Sequence, residues 1–345
     1  MAVTIYDVAK KAGVGIGTVS RAMNNNPGIN PATKARVLGV VKELHYQPHS
    51  LAQSLARKKT FSIAAVVPFF TNYFFIELLK SINAFLSRNS YNLILYNVDR
   101  HYKWERTLDR VLADRSTDGI LVISIGVSDE YADKLLANKI PAVIVDNLNY
   151  KIDSVAVANR QGAKEATEHL INLGHKKVGM INGHLSSFPA ISRLQGYKQA
   201  LLENDLPFDD ELLVICDAKV GEHGFNEIAG YKAMKQVLQL GPKMPTALFV
   251  ASDVQALGVM RAAKEAGLHI PDDLALVGFD DIEFSRFIGL TTMRQPFGKM
   301  GRLGVERLFD LMNGKVDAGF HKELKAELIV RESCGGEKSF SVGAE

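Results

Sequence analysis

Cysteine and tryptophan are scarce in this chain, which has two cysteines and one tryptophan among its 345 residues. Cys216 and Cys334 lack the histidine spacing of a zinc site, so we expect two free thiols in a reducing cytosol rather than a disulfide framework. Apolar runs such as 63–68 suit a buried strand but are too short to span a bilayer, so no membrane association is expected. Charged residues within the first eleven positions interrupt any signal-peptide pattern, which predicts a cytoplasmic protein.

Signatures of common catalytic sites are also missing from the sequence. It contains no G-x-S-x-G, no G-x-x-x-x-G-K and no H-E-x-x-H, and the side chains of the adjacent Asp280 and Asp281 should diverge rather than share a substrate. Gly15-Ile16-Gly17 resembles the start of a nucleotide-binding glycine loop, but such a loop follows a strand, and a helical pattern precedes this one. We therefore expect no enzyme activity, no cofactor and no metal site.

Three short helical patterns open the chain. The first is predicted at about 5–12, because Thr4 and Asp7 form a T-x-x-D start signal and a glycine follows the last apolar position. The second spans about 16–23 and is separated from the first by a glycine-centred turn. Asn30 and the proline after it are an N-cap and N1 pair that opens the third helix. This order predicts a helix-turn-helix head.

Basic residues are concentrated in this head. Residues 1–60 hold nine lysines and arginines against two acids, a net charge of +7. The whole chain has 41 basic and 38 acidic residues, so the other 285 residues hold 32 and 36 and carry −4. Positive charge confined to one small domain favours contact with DNA phosphates. The alternative, a solvated basic face, would leave the helix-turn-helix order unexplained.

In order along the chain, the head resembles the LacI/GalR family of bacterial transcription regulators through the segments T-I-Y-D-V-A-K-K-A-G-V, T-V-S-R-A-M-N and Y-Q-P-H-S-L-A-Q-S-L-A. The resemblance continues to about Ser333. It implies a regulator that binds a near-palindromic operator in double-stranded DNA as a homodimer. The residues that it places against DNA are Thr4, Ile16, Gly17, Thr18, Ser20, Arg21, Asn24, Asn30, Tyr46, Leu55 and Arg57. Gly15 and His49 depart from the family, which usually has a serine and a small polar residue there.

A short helical pattern at 50–57 follows Pro48 and carries Leu51 and Leu55 at i and i+4. Such a helix is too short to be stable alone. In the resembled family this segment orders on DNA as a hinge helix, and a leucine at the position of Leu55 wedges into the minor groove. The alternative is a tether whose leucines dock on a neighbouring domain. The basic triplet at 57–59 favours DNA.

From Phe61 onward, short apolar runs alternate with helical patterns, which predicts parallel sheets wrapped by helices. Strands are expected near residues 62–67, 92–97, 119–124, 142–146, 178–182, 212–216, 247–251 and 274–279. Helices are expected near residues 74–88, 103–114, 129–138, 161–173, 192–204, 226–240 and 253–267. The predicted fold is therefore an all-α head with a hinge helix, joined to an α/β core of two doubly wound parallel-sheet subdomains like those of periplasmic binding proteins.

The domain boundaries follow from these patterns and from the resemblance. The expected ranges are 1–47 for the head, 48–60 for the hinge helix and linker, 61–158 plus 292–320 for the first core subdomain, 159–291 plus 321–333 for the second, and 334–345 for a flexible tail. Several crossovers between the subdomains would form a hinge around a cleft.

Open parallel sheets bind ligands beyond the carboxyl ends of their strands, where this chain has polar and aromatic residues. The positions that match effector-binding residues of the family are Phe74, Phe75, Ser124, Asp146, Ser187, Arg193, Phe225, Ser252, Asp280 and Gln295. Acids, amides, an arginine and aromatic rings suit the hydroxyl edges and apolar faces of a sugar. The phenylalanines at 74 and 75 could instead be core residues, and the two aspartates could be turn caps. For Phe225, Ser187 and Ser252, the effector role rests on analogy alone.

These features predict a repressor of carbohydrate-utilisation genes that is switched by a sugar or sugar phosphate. Ser187 and Pro189 stand where purine-responsive members of the family have an arginine and a threonine, which favours a sugar over a purine. A phosphorylated protein corepressor is another alternative within the family. The alternative from a different class is a cytoplasmic sugar-binding receptor, which would not need a basic head. The polar end of the chain lacks leucine heptads, which favours a dimer over a tetramer.

Overall fold

The computed structural model describes residues 3–46, 59–68, 70–98, 104–217, 222–317 and 319–336. The chain divides into two compact units, Met1–Phe61 and Ser62–Glu345. The first unit is a helical head, and the second contains two β-sheets with their helices. Within the described residues, every helix is too short or too polar to cross a membrane.

Three helices form the head, at the positions that the sequence predicts: α1 (Ile5–Ala12), α2 (Ile16–Met23) and α3 (Pro31–Glu43). The backbone N–H and the hydroxyl of Thr4 donate to Asp7 Oδ2 at 2.8 and 2.7 Å, and these hydrogen bonds lower the pKa of the Asp7 carboxyl. Gly13 ends α1 with a φ of 64°, and Asn30 Oδ1 accepts from the backbone N–H of Ala32 at 2.9 Å. Local signals in the sequence therefore set these helix ends.

A small aliphatic core holds the head together. Val8, Val19 and Val37, one from each helix, are fully buried. Burial of each such side chain contributes roughly 1.5–3 kcal/mol. Tyr46, just beyond α3, belongs to the same core.

Twelve strands occur within the described residues of the second unit. They are β1 (Ser62–Val67), β2 (Asn92–Asn97), β3 (Gly119–Ile123), β4 (Ala142–Val145), β5 (Ser154–Val157), β6 (Val178–Asn182), β7 (Leu213–Ile215), β8 (Ala247–Val250), β9 (Ala275–Asp280), β10 (Thr291–Arg294), β11 (His321–Leu324) and β12 (Glu327–Ile329). The first sheet has the order β11-β5-β4-β3-β1-β2, and the second has the order β12-β10-β9-β8-β6-β7. All neighbouring strands are parallel except β10 and β12, which are antiparallel.

Helices cover both faces of each sheet, so strands such as β1, β3 and β8 are buried along their whole length. The helices of this unit are α4 (Tyr73–Arg88), α5 (Trp104–Asp114), α6 (Asp129–Ala137), α7 (Asn159–Asn172), α8 (Phe188–Glu203), α9 (Glu227–Leu238), α10 (Asp253–Glu265) and α11 (Phe297–Met312). Helix α7 packs on α8, α9 on α10, and α11 on α4. This architecture confirms the predicted fold class.

The late crossovers differ from the predicted boundaries. Strand β10 lies beside β9 in the second sheet, with Thr291 opposite Val277, so residues 292–294 do not belong with the first subdomain. Strand β11 lies beside β5 in the first sheet, with His321 opposite Ser154, so residues 321–324 do not belong with the second. Strand β11 pairs with a segment far away in the sequence, and neither of these four-residue strands has a local pattern that reveals its partner.

Two short segments also differ from the prediction. Strand β5 was not predicted from the sequence. It is only four residues long, and in the sheet it is flanked by β4 on one side and β11 on the other. Cys334 was assigned to a flexible tail, but it is buried, and the hydroxyl of Thr291 donates to its Sγ at 3.1 Å. The core therefore extends at least to Cys334, and residues 337–345 lie outside the described part of the chain.

Candidate functional site

A cleft opens between the carboxyl ends of the two sheets, and it contains about 590 Å³ of space when its open mouth is included. Its lining includes nine of the ten predicted effector residues, namely Phe74, Phe75, Ser124, Asp146, Ser187, Arg193, Phe225, Ser252 and Asp280, and also Pro68, Asn72, Pro189, His223 and Val254. The tenth, Gln295, lies behind the lining and donates through Nε2 to Asp280 Oδ1 at 2.6 Å. The structure thus brings the predicted residues together, and their contact with an effector remains a prediction.

Asp146 marks the wall formed by the first sheet. The hydroxyl of Ser124, which follows β3, donates to Asp146 Oδ2 at 2.6 Å. The other carboxylate oxygen, Oδ1, is buried and has no hydrogen-bond partner among the described residues. Burial raises the pKa of Asp146 to about 6, while Ser124 and the charge of Arg193 oppose the shift. Asp146 Oδ1 is therefore a buried acceptor for which the described residues supply no donor.

Arg193, on α8, occupies the opposite wall and is 3% exposed. Its Nε donates to Asn159 Oδ1 at 2.8 Å, its Nη1 donates to the carbonyl of Ala251, and its guanidinium lies 3.8 Å from the centre of the Phe279 ring. Its Nη2 is 3.9 Å from Asp280 Oδ1. Burial lowers the pKa of Arg193, and the neighbouring carboxylates oppose this shift. The guanidinium is thus held rigidly by the second sheet and its helices.

Asp280 ends β9 at the same wall. Burial raises its pKa to about 8, although the charge of Arg193 pulls it down. The adjacent Asp281 turns away and pairs with Arg294 and Arg331, each at 2.6 Å, so the two carboxylates diverge as expected. Within the described residues, no group of three or more His, Cys, Asp or Glu side chains is arranged to hold a metal ion.

Four of the twelve non-glycine residues with positive φ in the described part of the chain line this cleft. Ser124, Asp146, His223 and Asp280 all have positive φ, at 54°, 61°, 51° and 131°. For residues other than glycine, such conformations cost free energy and are found preferentially at binding sites. These backbone conformations direct polar side chains beyond the strand ends. The sequence does not predict them.

Phenylalanine rings form the apolar surface of the cleft. Phe75 is buried in the core of the unit, as the alternative interpretation of this residue expected. Phe74 is half-buried and packs edge-on against Phe75 and Phe297, with ring centres 5.1 and 5.4 Å apart. Phe225 reaches the cleft from the other side, over a glycine: a Cβ at Gly183 would lie 2.3 Å from its ring.

Gly183→Ala should therefore lower the free energy of unfolding by roughly 1–3 kcal/mol through overpacking, and it should weaken effector binding because the Phe225 ring is displaced from the cleft wall. Isothermal titration of the variant and the parent protein with an effector would measure the loss. Gly126→Ala is the matched control, since its Cβ would meet only Asn147 Nδ2 at 3.8 Å. Equal affinity for both variants would show that the position of the Phe225 ring does not matter.

Two of the serines that line the cleft, Ser252 and Ser187, have different environments. The hydroxyl of Ser252 caps α10 by accepting from Gln255 N at 3.2 Å, whereas the hydroxyl of Ser187 makes no capping bond at the start of α8.

His223, which lies in a loop two residues before Phe225, also lines the cleft and was not predicted from the sequence. Its Nδ1 is 3.1 Å from the hydroxyl of Ser186, and burial, assisted by the nearby His184, lowers its pKa. Its position in the loop between β7 and α9 was the one feature of the sequence that could have indicated a place in the cleft.

Direct contacts also join the two walls. Asn72 caps α4 through Oδ1 and donates through Nδ2 to the carbonyl of Phe225 at 3.0 Å. Tyr73 packs edge-on against Phe284 of the second sheet region, with ring centres 5.1 Å apart. The start of α4 thus contacts both the first and second sheet regions at the cleft.

In the head, α2 presents the predicted DNA-contacting surface. Ile16, Gly17 and Arg21 are exposed, and Thr18 and Ser20 are half-buried. Arg21 Nε donates to the carbonyl of Gly17 at 3.2 Å, and the Asn24 side chain donates to the carbonyl of Ser20 at 2.9 Å. The Arg21 side chain therefore lies along the exposed face of the helix, and its contact with DNA stays a prediction.

The other predicted DNA contacts are placed less favourably. Thr4 and Asn30 are exposed, but their side chains are engaged at helix starts. Tyr46 is 8% exposed and packs in the core of the head, and its contact with DNA stays a prediction. Leu55, Arg57 and the rest of the predicted hinge helix lie outside the described residues.

Comparison with protein families gives two matches. Residues 4–49 match the family described as bacterial regulatory proteins, lacI family. Residues 167–334 match the family described as periplasmic binding protein-like domain. The first match covers the head, and the second covers the later part of the two-sheet unit.

Similar proteins cover almost the whole chain. Catabolite control protein A of Priestia megaterium is 34% identical over 318 residues, which span 91% of this chain and 93% of that protein. The HTH-type transcriptional repressor PurR of Haemophilus influenzae strain PittEE is 34% identical over 338 residues, 96% of this chain and 98% of that one. The crystal structure of the lac repressor dimer bound to operator and the anti-inducer ONPF superposes with a TM-score of 0.85 at 29% identity, covering 96% and 99% of the two chains.

Proposed function

Because the chain belongs to the lacI family of bacterial regulatory proteins, we propose that it is a repressor of carbohydrate-utilisation genes whose affinity for operator is switched by a sugar or sugar phosphate bound in the cleft. The family membership predicted from the sequence is confirmed, and the chain is a DNA-binding transcriptional regulator rather than an enzyme. The class of effector and the kind of regulated genes are what the proposal adds.

The observation that carries the sugar assignment is the chemistry of the two cleft walls. A sugar ring has hydroxyl donors along its edge and apolar C–H faces. Asp146 offers a buried oxygen without a donor among the described residues, and Asp280 lies on the opposite wall. The rings of Phe74 and Phe225 supply apolar surfaces in the same cleft. This combination favours a polyhydroxy ligand over a flat, mostly apolar one.

The head supports the proposal that the target is a two-fold operator. Its exposed Arg21 and neighbouring polar residues lie on one helix, and a helix of this kind reads one half-site in the major groove. The similar lac repressor binds its operator as a dimer. We propose the same arrangement here, in which each of two copies reads one half-site.

The proposed switch is a change in the angle between the two sheets. The chain passes between the sheets after β5, after β10 and after β11, so three connections can act as a hinge. A ligand that contacts Asp146 on one wall and Arg193 on the other would favour one angle over the other. Coupling of this kind must be reciprocal, so operator DNA would change effector affinity by the same factor.

A two-step experiment tests the proposal. Operator sequences are first selected from a random duplex library with the purified protein. The protein, with and without the selected duplex, is then screened by thermal unfolding against sugars, sugar phosphates and purines. We expect a sugar or sugar phosphate to raise the melting temperature and to change operator affinity. A response to purines alone would contradict the sugar assignment and leave the DNA-binding function intact.

A further inference from the structure

We infer that Asp281 is a positioning residue for its neighbour Asp280: the ion pairs that Asp281 makes with two arginines hold the Asp280 carboxyl in the wall of the cleft. The inference rests on the proposed function only in taking Asp280 as an effector contact, and it holds for any class of effector. Three observations support it: the backbone at the end of β9, the ion pairs of Asp281, and the hydrogen bonds that tie Asp280 to the same neighbouring segment.

The end of β9 has an unfavourable backbone conformation at two successive residues. Asp280 has a φ of 131° and Asp281 a φ of 56°, and residues with a side chain adopt such angles only at a cost in free energy. These conformations persist where surrounding contacts hold them. They also separate the two side chains, because that of Asp280 lines the cleft whereas that of Asp281 pairs with the arginines. The contacts of Asp281 therefore help to set the direction of Asp280.

Both carboxylate oxygens of Asp281 are held by arginine. Oδ2 accepts from Arg294 Nε and Oδ1 accepts from Arg331 Nη2, each at 2.6 Å. The Asp281 side chain is 8% exposed, and Arg331 Nη1 also donates to the carbonyl of Leu290 at 2.7 Å. Charge-assisted hydrogen bonds are short and directional, and pairs that are shielded from water are screened less than pairs at the surface. These bonds fix the Asp281 carboxylate and the backbone that precedes it.

Asp280 is tied to the segment that contains Arg294. In the parallel pairing of β9 with β10, Arg294 lies opposite Asp280. The next residue, Gln295, bonds to Asp280 twice, through its backbone N–H to the carbonyl at 3.1 Å and through Nε2 to Oδ1 at 2.6 Å. Two adjacent links therefore join the end of β9 to the end of β10: Asp280 with Gln295 at the cleft, and Asp281 with Arg294 beside it. Loss of the second link should loosen the first.

Two changes of opposite charge distinguish positioning from electrostatics at a distance. Asp281→Asn removes a negative charge, the double variant Arg294→Gln/Arg331→Gln removes two positive charges, and both break the ion pairs. If Asp281 positions Asp280, either change frees the Asp280 carboxyl to turn into the open cleft, where hydration lowers its pKa from about 8. If the charges act only at a distance, Asp281→Asn lowers that pKa and the double variant raises it.

The pKa of Asp280 is measured on the full-length protein by denaturant unfolding from pH 4 to pH 9. Asp280→Asn is made in each background, so that the difference isolates this carboxyl from the nearby charges of Arg193, Asp253 and Asp146. Because the pKa of Asp280 is raised in the folded protein, its contribution to stability falls as the pH rises and reaches a plateau above that pKa. We expect the plateau to begin about one pH unit or more lower in both variants than in the parent protein.

Asp153→Asn is the matched control. Asp153 is a buried acid that accepts from Arg307 Nε beside the first sheet, so its replacement should lower stability without moving the plateau of Asp280. If the double arginine variant does not fold, Arg294→Gln alone takes its place, since the Arg294 side chain is 48% exposed. A plateau that stays in place or moves up in either variant would overturn the inference. No effector enters this measurement, so that result would leave the proposed function standing.

Discussion

Replacement of Arg193 by alanine is expected to abolish effector binding and to lower the free energy of unfolding by about 3–5 kcal/mol at pH 8, since removal of one partner leaves buried charges uncompensated. The guanidinium holds Asn159 and the carbonyl of Ala251 and lies on the ring of Phe279. It is also the positive charge nearest to the buried carboxyls of Asp146 and Asp280. The side chain therefore supports the fold as well as the cleft.

The destabilisation should depend on pH in a direction set by the two acids. Their pKa values are raised in the folded protein, to about 6 for Asp146 and about 8 for Asp280, from an ordinary value of 3.8. Their contribution to stability is fully present below pH 4 and is lost as the pH rises toward 8. Without Arg193 both pKa values rise further, so the loss caused by Arg193→Ala should be larger at pH 8 than at pH 5.

Denaturant unfolding of the parent and the variant at both pH values would measure this difference. Arg302→Ala is the control, because Arg302 is exposed and, among the described residues, forms an ion pair with Glu306 one turn along the same helix. We expect that variant to lie within about 0.5 kcal/mol of the parent. A loss for Arg193→Ala that is the same at pH 5 and pH 8 would mean that Arg193 does not balance the buried acids.

Replacement of Arg21 by alanine is expected to weaken binding to a selected operator by about 5- to 150-fold, equivalent to roughly 1–3 kcal/mol for a paired contact with a guanine. Arg21 is exposed on α2, and its Nε already donates to the carbonyl of Gly17, which directs the guanidinium along the outer face. Loss of a base contact should also relax the sequence preference at one position of each half-site. Loss of a phosphate contact would weaken binding to all sequences alike.

Fluorescence anisotropy with the selected duplex and with single-base variants of it would separate these outcomes. The matched control is Arg36→Ala, which removes the same charge from an exposed position on α3. We expect this control to reduce affinity uniformly and to lower the dependence of binding on salt. If the two variants have the same affinity and the same sequence preference, Arg21 contributes charge and no readout.

Much of the site was predictable because its chemistry follows a rule of strand ends. Residues such as Ser124, Asp146 and Asp280 come directly after apolar runs, and the carboxyl ends of parallel strands meet at one edge. The sequence did not predict which of their oxygen atoms lack a hydrogen-bond donor. That depends on the hydrogen bond from Ser124 to Asp146 and on the one from Gln295 to Asp280. His223 was not predicted because its positive φ has no local signature and only its position after β7 pointed to the cleft.

The sequence by itself determined the head, because its helix ends depend on near neighbours: Thr4 with Asp7, the glycine at 13, and Asn30 with the proline after it. It also determined the alternation of strands and helices that makes an α/β core. Only the tertiary structure decided which sheet receives β10 and β11, that Tyr46 and Cys334 are buried, and that the Nε and Nη1 groups of Arg193 bond to Asn159 and Ala251. These outcomes depend on partners distant in sequence, and no local pattern specifies the partner of a four-residue strand or of a single buried side chain.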